Sequence, residues 1–505
     1  MTDYRAKWAD AELGDLVTVC RPRSDPRDFQ DLPFVGMDNV EAHTMRLLGT
    51  VPARTMRSNA IHFFPKDVLY GRLRPYLNKV LAATFEGLAS AEFIPLTPEQ
   101  GVDSDFVRYR LNAADFVSFT SHLDEGDRPR VDWEGIRQFP VPLPPSAEQR
   151  RIVAAIDSYL TRLDDAIANL ERVQAKLKAY RASVLKAAVE GRLVPTEAFL
   201  TRAQKRDYEP AEVLLAGILN QRRRRWEETE LIKLKAAGKT PKDDKWKAKY
   251  TEPVTPDTST LPELPEGWTW ARISSVGEVQ LGRQRAPIHH LGRHMRPYLR
   301  VANVFEDRID TADVMTMNFT PQEFKTYCLG FGDILLNEGQ SPHLIGRPAM
   351  YRDEVPGACF QNTLIRFRAS SGVDPRFALV VFRAQLHARR YMRIAQITTN
   401  IAHLGAGRFA EIEFPLPPTE EQRRIADEVE RLMSIANSVE AALSHQQGRA
   451  TRLRQSILKW AFGGRLVDQD PNDEPAERLL ASIRAERAAA APIKQSRGHA
   501  LNGAT

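Results

Sequence analysis

The chain has 505 residues, 42% hydrophobic and 27% charged, the composition of globular protein with length for about three domains. A net charge of +6 with a pI near 9.1 and arginine leading the basic residues leans toward a polyanionic partner. Three scattered cysteines (Cys20, Cys328, Cys359) without CxxC spacing exclude a disulfide framework or a cysteine zinc site. No apolar run reaches membrane-spanning length and MTDYRAKWADAELGD has no signal-peptide core, so a cytoplasmic location is expected.

Residues 1–145 carry short apolar runs (LGDLVTV, AIHFF, DVLYG, KVLAATF, AEFIPL) broken by Pro, Gly and Asp, which predicts a mixed α+β domain of short strands. The domain closes on PLPP, which forces an extended connection. Ser146 then reads as an N-cap with Gln149 three residues on, a capping box opening a helical segment over 146–194. There Ile156, Leu163, Leu170, Leu177 and Val184 recur every seven residues, with Tyr159, Val173 and Tyr180 as the second position of a coiled-coil seam. Gly191 closes the helix.

Residues 195–261 hold a small helix at EPAEVLLAGI (209–218). After it, the charged stretch 221–250 reads as helix followed by a flexible linker. Residues 262–418 have the character of the first domain and share its landmarks in order. Trp8 before Leu13-Gly14-Asp15 matches Trp270 before Val276-Gly277-Glu278, Asp67-Val68-Leu69 matches Asp333-Ile334-Leu335, and Asp105-Phe106 matches Arg376-Phe377. A second PLPP leads into helix over 419–467, with Thr419 and Gln422 as the capping pair. Its seam is Val429, Ala436, Leu443, Ala450 and Ile457, with Leu432, Val439 and Leu453 beside them and Gly464 at the end. Residues 468–505 hold a second small helix, EPAERLLASI from Glu474, and a tail over 488–505 that reads as disordered.

Positions 146–194 and 419–467 are one unit written twice: Gln149 to Gln422, Leu170 to Leu443 and Arg192 to Arg465 all differ by 273. Two copies at so long a period predict a pseudo-two-fold molecule rather than a solenoid. The simplest partner for each helix is the other, antiparallel, and a 44-residue helix spans roughly 65 Å.

No catalytic motif emerges. Gly238-Lys239-Thr240 has Lys233 where a P-loop needs glycine, no Asn/Asp-Pro-Pro-aromatic tetrad of adenine methyltransferases occurs, and Leu404-Gly405-Ala406-Gly407 is too short for a cofactor loop. His289, His290 and His294 lack a fourth ligand at metal spacing.

PLPPxxEQRRI followed by a long helix and GRLV, twice around two divergent domains, together with the duplicated EPAE-LL helix and LPEGWTW at 264–270, resembles the specificity subunits of type I restriction–modification systems. The resemblance covers nearly the whole chain. It implies two target-recognition domains separated by two long antiparallel coiled-coil helices, and a non-catalytic subunit that reads a bipartite double-stranded DNA target. It also implies two modification (methyltransferase) subunits and restriction (translocase–nuclease) subunits as partners, with S-adenosylmethionine and ATP/Mg bound by those partners and no cofactor in this chain. Candidate DNA contacts are Arg72, Arg74, Asn78 and Lys79 in the first domain, where LRPYLNK resembles a recurrent family stretch. In the second domain they are Gln340, His343 and Arg347, with Thr398, Thr399 and Asn400 as a further polar cluster. Arg and Asn read base edges and Lys serves phosphate; a solvated loop residue is the alternative at each position.

Overall fold

The structure is a computed structural model, described over residues 5–19, 23–123, 126–238, 241, 243–398 and 401–490. It divides into two compact units, Met1–Arg172 with Leu443–Thr505, and Val173–Ala442. Six helices frame the two units: α1 (Ser104–Asn112), α2 (Ser146–Val189), α3 (Ala211–Ala236), α4 (Pro375–His387), α5 (Thr419–Phe462) and α6 (Ala476–Ala490). Both long helices, α2 and α5, have 44 residues, and Gly191 and Gly464 follow them at φ 66° and 69°, the left-handed turn that glycine takes without strain.

In the first unit a two-stranded ribbon, Ala9–Glu12 against Pro140–Leu143, brings the ends of the recognition domain together. Inside it lies a four-stranded antiparallel sheet in the order Val17–Thr18, Phe93–Pro98, Val68–Gly71, Val80–Ala82. A five-stranded sheet adds one parallel pair, Pro33–Val35 beside Gly87–Ala89. One core joins Leu16, Val68, Ile94 and Phe106 of this domain to Ile152 and Ile156 of α2, Ile457 and Phe462 of α5, and Leu480 of α6.

The second unit repeats the plan. Thr269–Arg272 pairs with Glu413–Leu416, and a four-stranded sheet runs Gly277–Leu281, Leu364–Ala369, Ile334–Asn337, Pro348–Met350. Its core joins Ile273, Ile334, Phe367 and Phe377 to Val184 and Ala188 of α2, Ile425 and Val429 of α5, and Ala211 and Ile218 of α3. Each unit therefore holds one domain, one half of each long helix and one EPAE helix. The start of α2 packs with the end of α5, and the end of α2 with the start of α5, which makes the pairing antiparallel.

The seam differs in one column from the sequence-based expectation. Ile156, Leu163, Val184, Val429, Ala436, Leu443, Ala450 and Ile457 are buried, and Leu170 and Leu177 half-buried. Tyr159, Val173, Tyr180, Val439 and Leu453, expected as the second column, are exposed, and Leu432 is half-buried. The second column lies one residue further on, at Leu160 and Ile167 in α2 and Met433 in α5. That restores the alternating four-and-three spacing of a coiled-coil seam (156, 160, 163, 167, 170). Toward the middle the same column turns polar, with Gln174, Arg181, Glu440, Gln447 and Arg454. Its arginines are paired: Arg454 bonds Asp164 in the first unit, and Arg181 reaches Asn437 at 2.6 Å and Glu440 at 2.8 Å in the second.

Three other expectations are corrected. The first EPAE helix is not small: α3 continues into the charged stretch to Ala236, and the short 3-10 helix Asp244–Lys249 precedes the irregular segment that leads to the second domain. The counterpart of Trp8 is Trp268, not Trp270, because each of the former stands five residues before a one-turn helix (Leu13–Leu16, Ile273–Val276). α6 runs on through 488–490 of the tail; residues 491–505 lie outside the described residues.

Candidate nucleic-acid interface

The Glu-Gln pair of each PLPPxxEQ motif is a buried clamp instead of a capping box. Gln149 Nε2 donates to the Pro144 carbonyl at 3.0 Å and its Oε1 accepts from Asp103 N at 2.9 Å. Gln422 does the same with Pro417 at 3.0 Å and Asp374 at 2.8 Å. Asp103 and Asp374 in turn cap α1 and α4, so one side chain sets the entry of two helices. Glu148 accepts from Trp8 Nε1 at 3.0 Å, and Glu421 from Trp268 Nε1 at 2.9 Å. Burial pushes both carboxyls above their ordinary range, against those hydrogen bonds. Ser146 and Thr419, freed from capping, donate to the carbonyls of Gly101 and Gly372. Those glycines sit at φ 86° and 87°, and a Cβ on either would stand 2.6 Å from Leu479 of α6 or Leu214 of α3. The domains are thus fixed to their helices by the same groups in both units.

The loops that leave this frame differ. In the first domain the strand Val68–Gly71 runs into a tight loop, with a 3-10 turn at Pro75–Leu77 between Arg74 (φ 52°) and Asn78 (φ 42°), both left-handed. Arg74 N donates to Pro129 O at 2.8 Å, and His43 N reaches the carbonyls of Leu77 and Asn78 at 3.2 Å. His43 and Met45 are left-handed as well, so two strained segments meet here. Of the four candidates, Arg74 presents an exposed guanidinium with no side-chain partner among the described residues, beside Tyr76, which is 46% exposed. Arg72 is half-buried near Glu92, whose carboxyl is held below its ordinary range chiefly by Arg130. Lys79 is committed to the Met37 carbonyl at 2.7 Å. Asn78 is 1% exposed, so it shapes the loop from inside rather than presenting an amide to solvent.

In the second domain the equivalent strand, Ile334–Asn337, continues into Gly339–Gln340, which joins a three-stranded sheet with Ile401–His403 and Gln396–Thr398. This brings Gln340 and the strand ending at Thr398 together. Thr399 and Asn400 lie outside the described residues, as does the Thr398 side chain. Gln340 Oε1 accepts from Ser341 N at 3.1 Å, and His343 is exposed. Ile397 and Ile401 of the same sheet are 57% and 50% exposed. Arg347 stacks 4.6 Å from the Phe305 ring centroid, and Arg308 lies at the same distance. Burial lowers the Arg347 pKa from its ordinary value. Arg308 and the Phe305 platform were not among the sequence candidates; an aromatic three residues before an arginine in a two-residue hairpin (Val304–Phe305, Arg308–Ile309) is the available signal. The hairpin is anchored through Glu306. Its burial opposes ionisation, but His387 and Arg383, each at 3.0 Å, outweigh that and hold the carboxyl at about 2.

His289 Nδ1 lies 3.2 Å from Arg283, His290 accepts from Arg285, and no group of three metal-binding side chains occurs among the described residues. No helix among them is long and apolar enough to cross a membrane.

Residues 265–446 match the family model of the type I restriction modification DNA specificity domain. The chain is 24% identical over 413 residues to the EcoKI specificity subunit of Escherichia coli K12, covering 80% of this chain and 76% of that one. It is 24% identical over 415 residues to the StySPI specificity subunit of Salmonella potsdam, with the same coverages. A solved chain from work on complex assembly and conformational transition of the type I R-M system has the same fold, with a TM-score of 0.61 at 18% identity over 91% of this chain and 98% of that one. The duplicated frame is thus the fold of a type I system protein, and residues 265–446 within it are similar to a DNA specificity domain. Over most of its length the chain is similar to the specificity subunits of type I restriction–modification systems.

Proposed function

We propose that this subunit recognises a bipartite DNA sequence, one element per domain, and directs methylation and restriction carried out by partner subunits. The observation that carries the reading is the contrast within each unit: the glutamine and tryptophan bonds of the clamp repeat, while the loops beyond Asp67 and Asp333 are built differently. A shared frame with unlike loops suits two half-sites of unlike sequence, which must fall on accessible groove faces about one helical turn apart or a multiple of it. Base contacts come from the loop bearing Arg74 and from the surface bearing Gln340, His343 and Arg347, with phosphates held by neighbouring donors.

Two methyltransferase subunits dock on the repeated frame, where aromatic and aliphatic side chains flank the seam. Tyr159 and Trp460 in the first unit are 47% and 58% exposed, and Tyr180 and Val439 in the second are 42% and 39%. Each precedes a seam position by one residue, on the same flank of its helix. S-adenosylmethionine, and ATP with Mg where a restriction subunit is present, belong to those partners.

Exchanging residues 1–145 for the equivalent domain of a relative should change one half of the methylated sequence and leave the other intact, as read by methylome sequencing. Loss of both halves in an assembled complex would refute independent reading. Inserting one heptad into α2 and α5 at equivalent positions keeps the seam in phase and adds about 10 Å. The spacer between half-sites should lengthen by about three base pairs, and an unchanged spacer in an active variant would mean the helices do not set it.

A further inference from the structure

The positive charge of this protein is concentrated in one place. Residues 221–250 hold 11 of its 71 lysines and arginines but only five of its 65 acidic residues, so the segment is +6 and the rest of the chain balances at 60 against 60. It extends α3 to 26 residues, well past the stretch that matches its counterpart α6. The segment is also folded rather than trailing. After α3 the chain returns through the 3-10 helix Asp244–Lys249, so that Trp246 stacks 6.0 Å from Trp226 and Tyr250 packs 5.3 Å from the same ring. Arg223 closes the turn through Glu252 at 3.2 Å, and Arg222 bonds the Ser274 carbonyl, which fastens the base of the element to the second domain.

This aromatic staple takes one face of α3 and leaves the other to water. Arg224, Arg225, Lys235 and Lys249 are exposed and make no ion pair or side-chain hydrogen bond among the described residues. Arg224 and Lys235 are 11 residues apart, three helical turns, and therefore share a face about 16 Å long. That is the axial run of roughly five phosphates on one strand of B-DNA. A lone charged face is ordinarily a solvated one. Here the excess charge of a DNA-reading protein falls in one segment, and the described part of that segment is a stapled extension of α3.

We propose that the α3 projection is a sequence-independent clamp on the DNA backbone, separate from the base-reading loops, with Arg224, Arg225, Lys235 and Lys249 neutralising phosphates. It rests on the DNA-reading function proposed above and adds to it an asymmetric, non-specific contact on the side of the second domain. Such contacts release counterions, so each one lost lowers the magnitude of the slope of log affinity against log salt by about 0.9.

The test compares the full chain, co-expressed with the methyltransferase subunits of its system, with the quadruple variant Arg224→Gln, Arg225→Gln, Lys235→Gln, Lys249→Gln. Binding to labelled duplexes, one carrying the methylated target and one of scrambled sequence, is measured from 50 to 200 mM KCl. The expected result is a slope smaller by about 2–4, with affinity lost equally for both duplexes and the methylated motif unchanged. An unchanged slope would overturn the clamp, as would loss of the methyltransferase subunits from the purified variant, which would make the face a protein-docking surface. If the unaltered complex fails to prefer its target over scrambled DNA, the proposed function fails instead, and the two failures are told apart by that control.

Discussion

The junction of each recognition domain with its long helix and the loop after its central strand lie within one domain, yet they behave oppositely when the two units are compared. At the junctions, Gln149 and Gln422 share two bonds to equivalent backbone groups, with corresponding distances within 0.1 Å, and Gln422 adds a bond to the Gly372 carbonyl at 3.2 Å. In the loops nothing corresponds: a left-handed turn bearing Arg74 stands in one unit, a three-stranded sheet bearing Gln340 in the other. Burial accounts for the difference. A buried amide with every bond satisfied tolerates no substitution, since a lost partner exposes the desolvation cost of the one left behind, whereas an exposed loop is free to take whatever shape its ligand selects.

The largest effect should come from breaking that equivalence at one junction. Gln149→Ala leaves the Pro144 carbonyl and the Asp103 amide without their partner in a site that is fully buried. The expected loss is about 2–4 kcal/mol, and Gln422→Ala should lose the same amount. Urea midpoints followed by tryptophan fluorescence test this, because Trp8 and Trp268 each lie beside the clamp of their own unit. A difference between the variants of more than about 1.4 kcal/mol, tenfold in the equilibrium, would show the junctions to be alike in geometry and not in energy.

Arg74→Ala and Arg347→Ala probe the opposite side of the comparison. Each should weaken target binding by about 1–3 kcal/mol and relax preference at one base position, in different half-sites, with folding stability unchanged for Arg74. Arg347 stacks on Phe305, so its variant should also lower stability slightly. If Arg74→Ala leaves affinity and motif untouched, that loop is not a reader.

Acid should separate the units as well. The depressed pKa of Glu306, about 2 against an ordinary 4.5, means that its pairing with Arg383 and His387 contributes stability fully above pH 4.5. That contribution, about 1–3 kcal/mol, fades as pH falls from 4.5 toward 2. Glu306→Gln should flatten this part of the acid-unfolding profile. An unaltered profile would mean that the hairpin under Phe305 is not anchored by that charge.

Much of the frame was legible in the sequence because repetition and punctuation are local. The 273-residue offset, the PLPP stops and the two glycines define helices of 44 residues and their partners. What could not be read depended on which side of a residue meets its neighbour. Ser146 and Gln149 have capping-box spacing, but the domain supplies better partners, Gly101 and Asp103, for the same groups. Tyr159 and Leu160 are both apolar, and periodicity alone does not say which one the second helix covers. Asn78 and Arg74 look alike as DNA readers until the 3-10 turn between them, entered and left in the left-handed region, buries one side chain and exposes the other.

The smallest predicted effect lies in the polar middle of the seam, where the two copies are almost alike. Arg454 meets Asp164 in the first unit; the equivalent position to Asp164 in the second is Asn437, and Arg181 finds its charge partner one turn on at Glu440. Ile167, the counterpart of Glu440, is apolar, so each unit has a single carboxylate for its seam arginine, placed differently. Asp164 is 59% exposed and Glu440 45%, which puts both pairs at the solvent edge, where an ion pair contributes about 0.2–1 kcal/mol and is screened by salt. Asp164→Asn should therefore cost no more than that at low salt and nothing measurable at 1 M NaCl. Adding Ile167→Glu to it rebuilds the second unit's arrangement in the first, and relative to Ile167→Gln with Asp164→Asn, which loses the same apolar contact, the salt-sensitive stability should recover. A recovery absent at low salt would show that the arginines are held by packing of their aliphatic stems, and that the carboxylates decide only which way the guanidinium points.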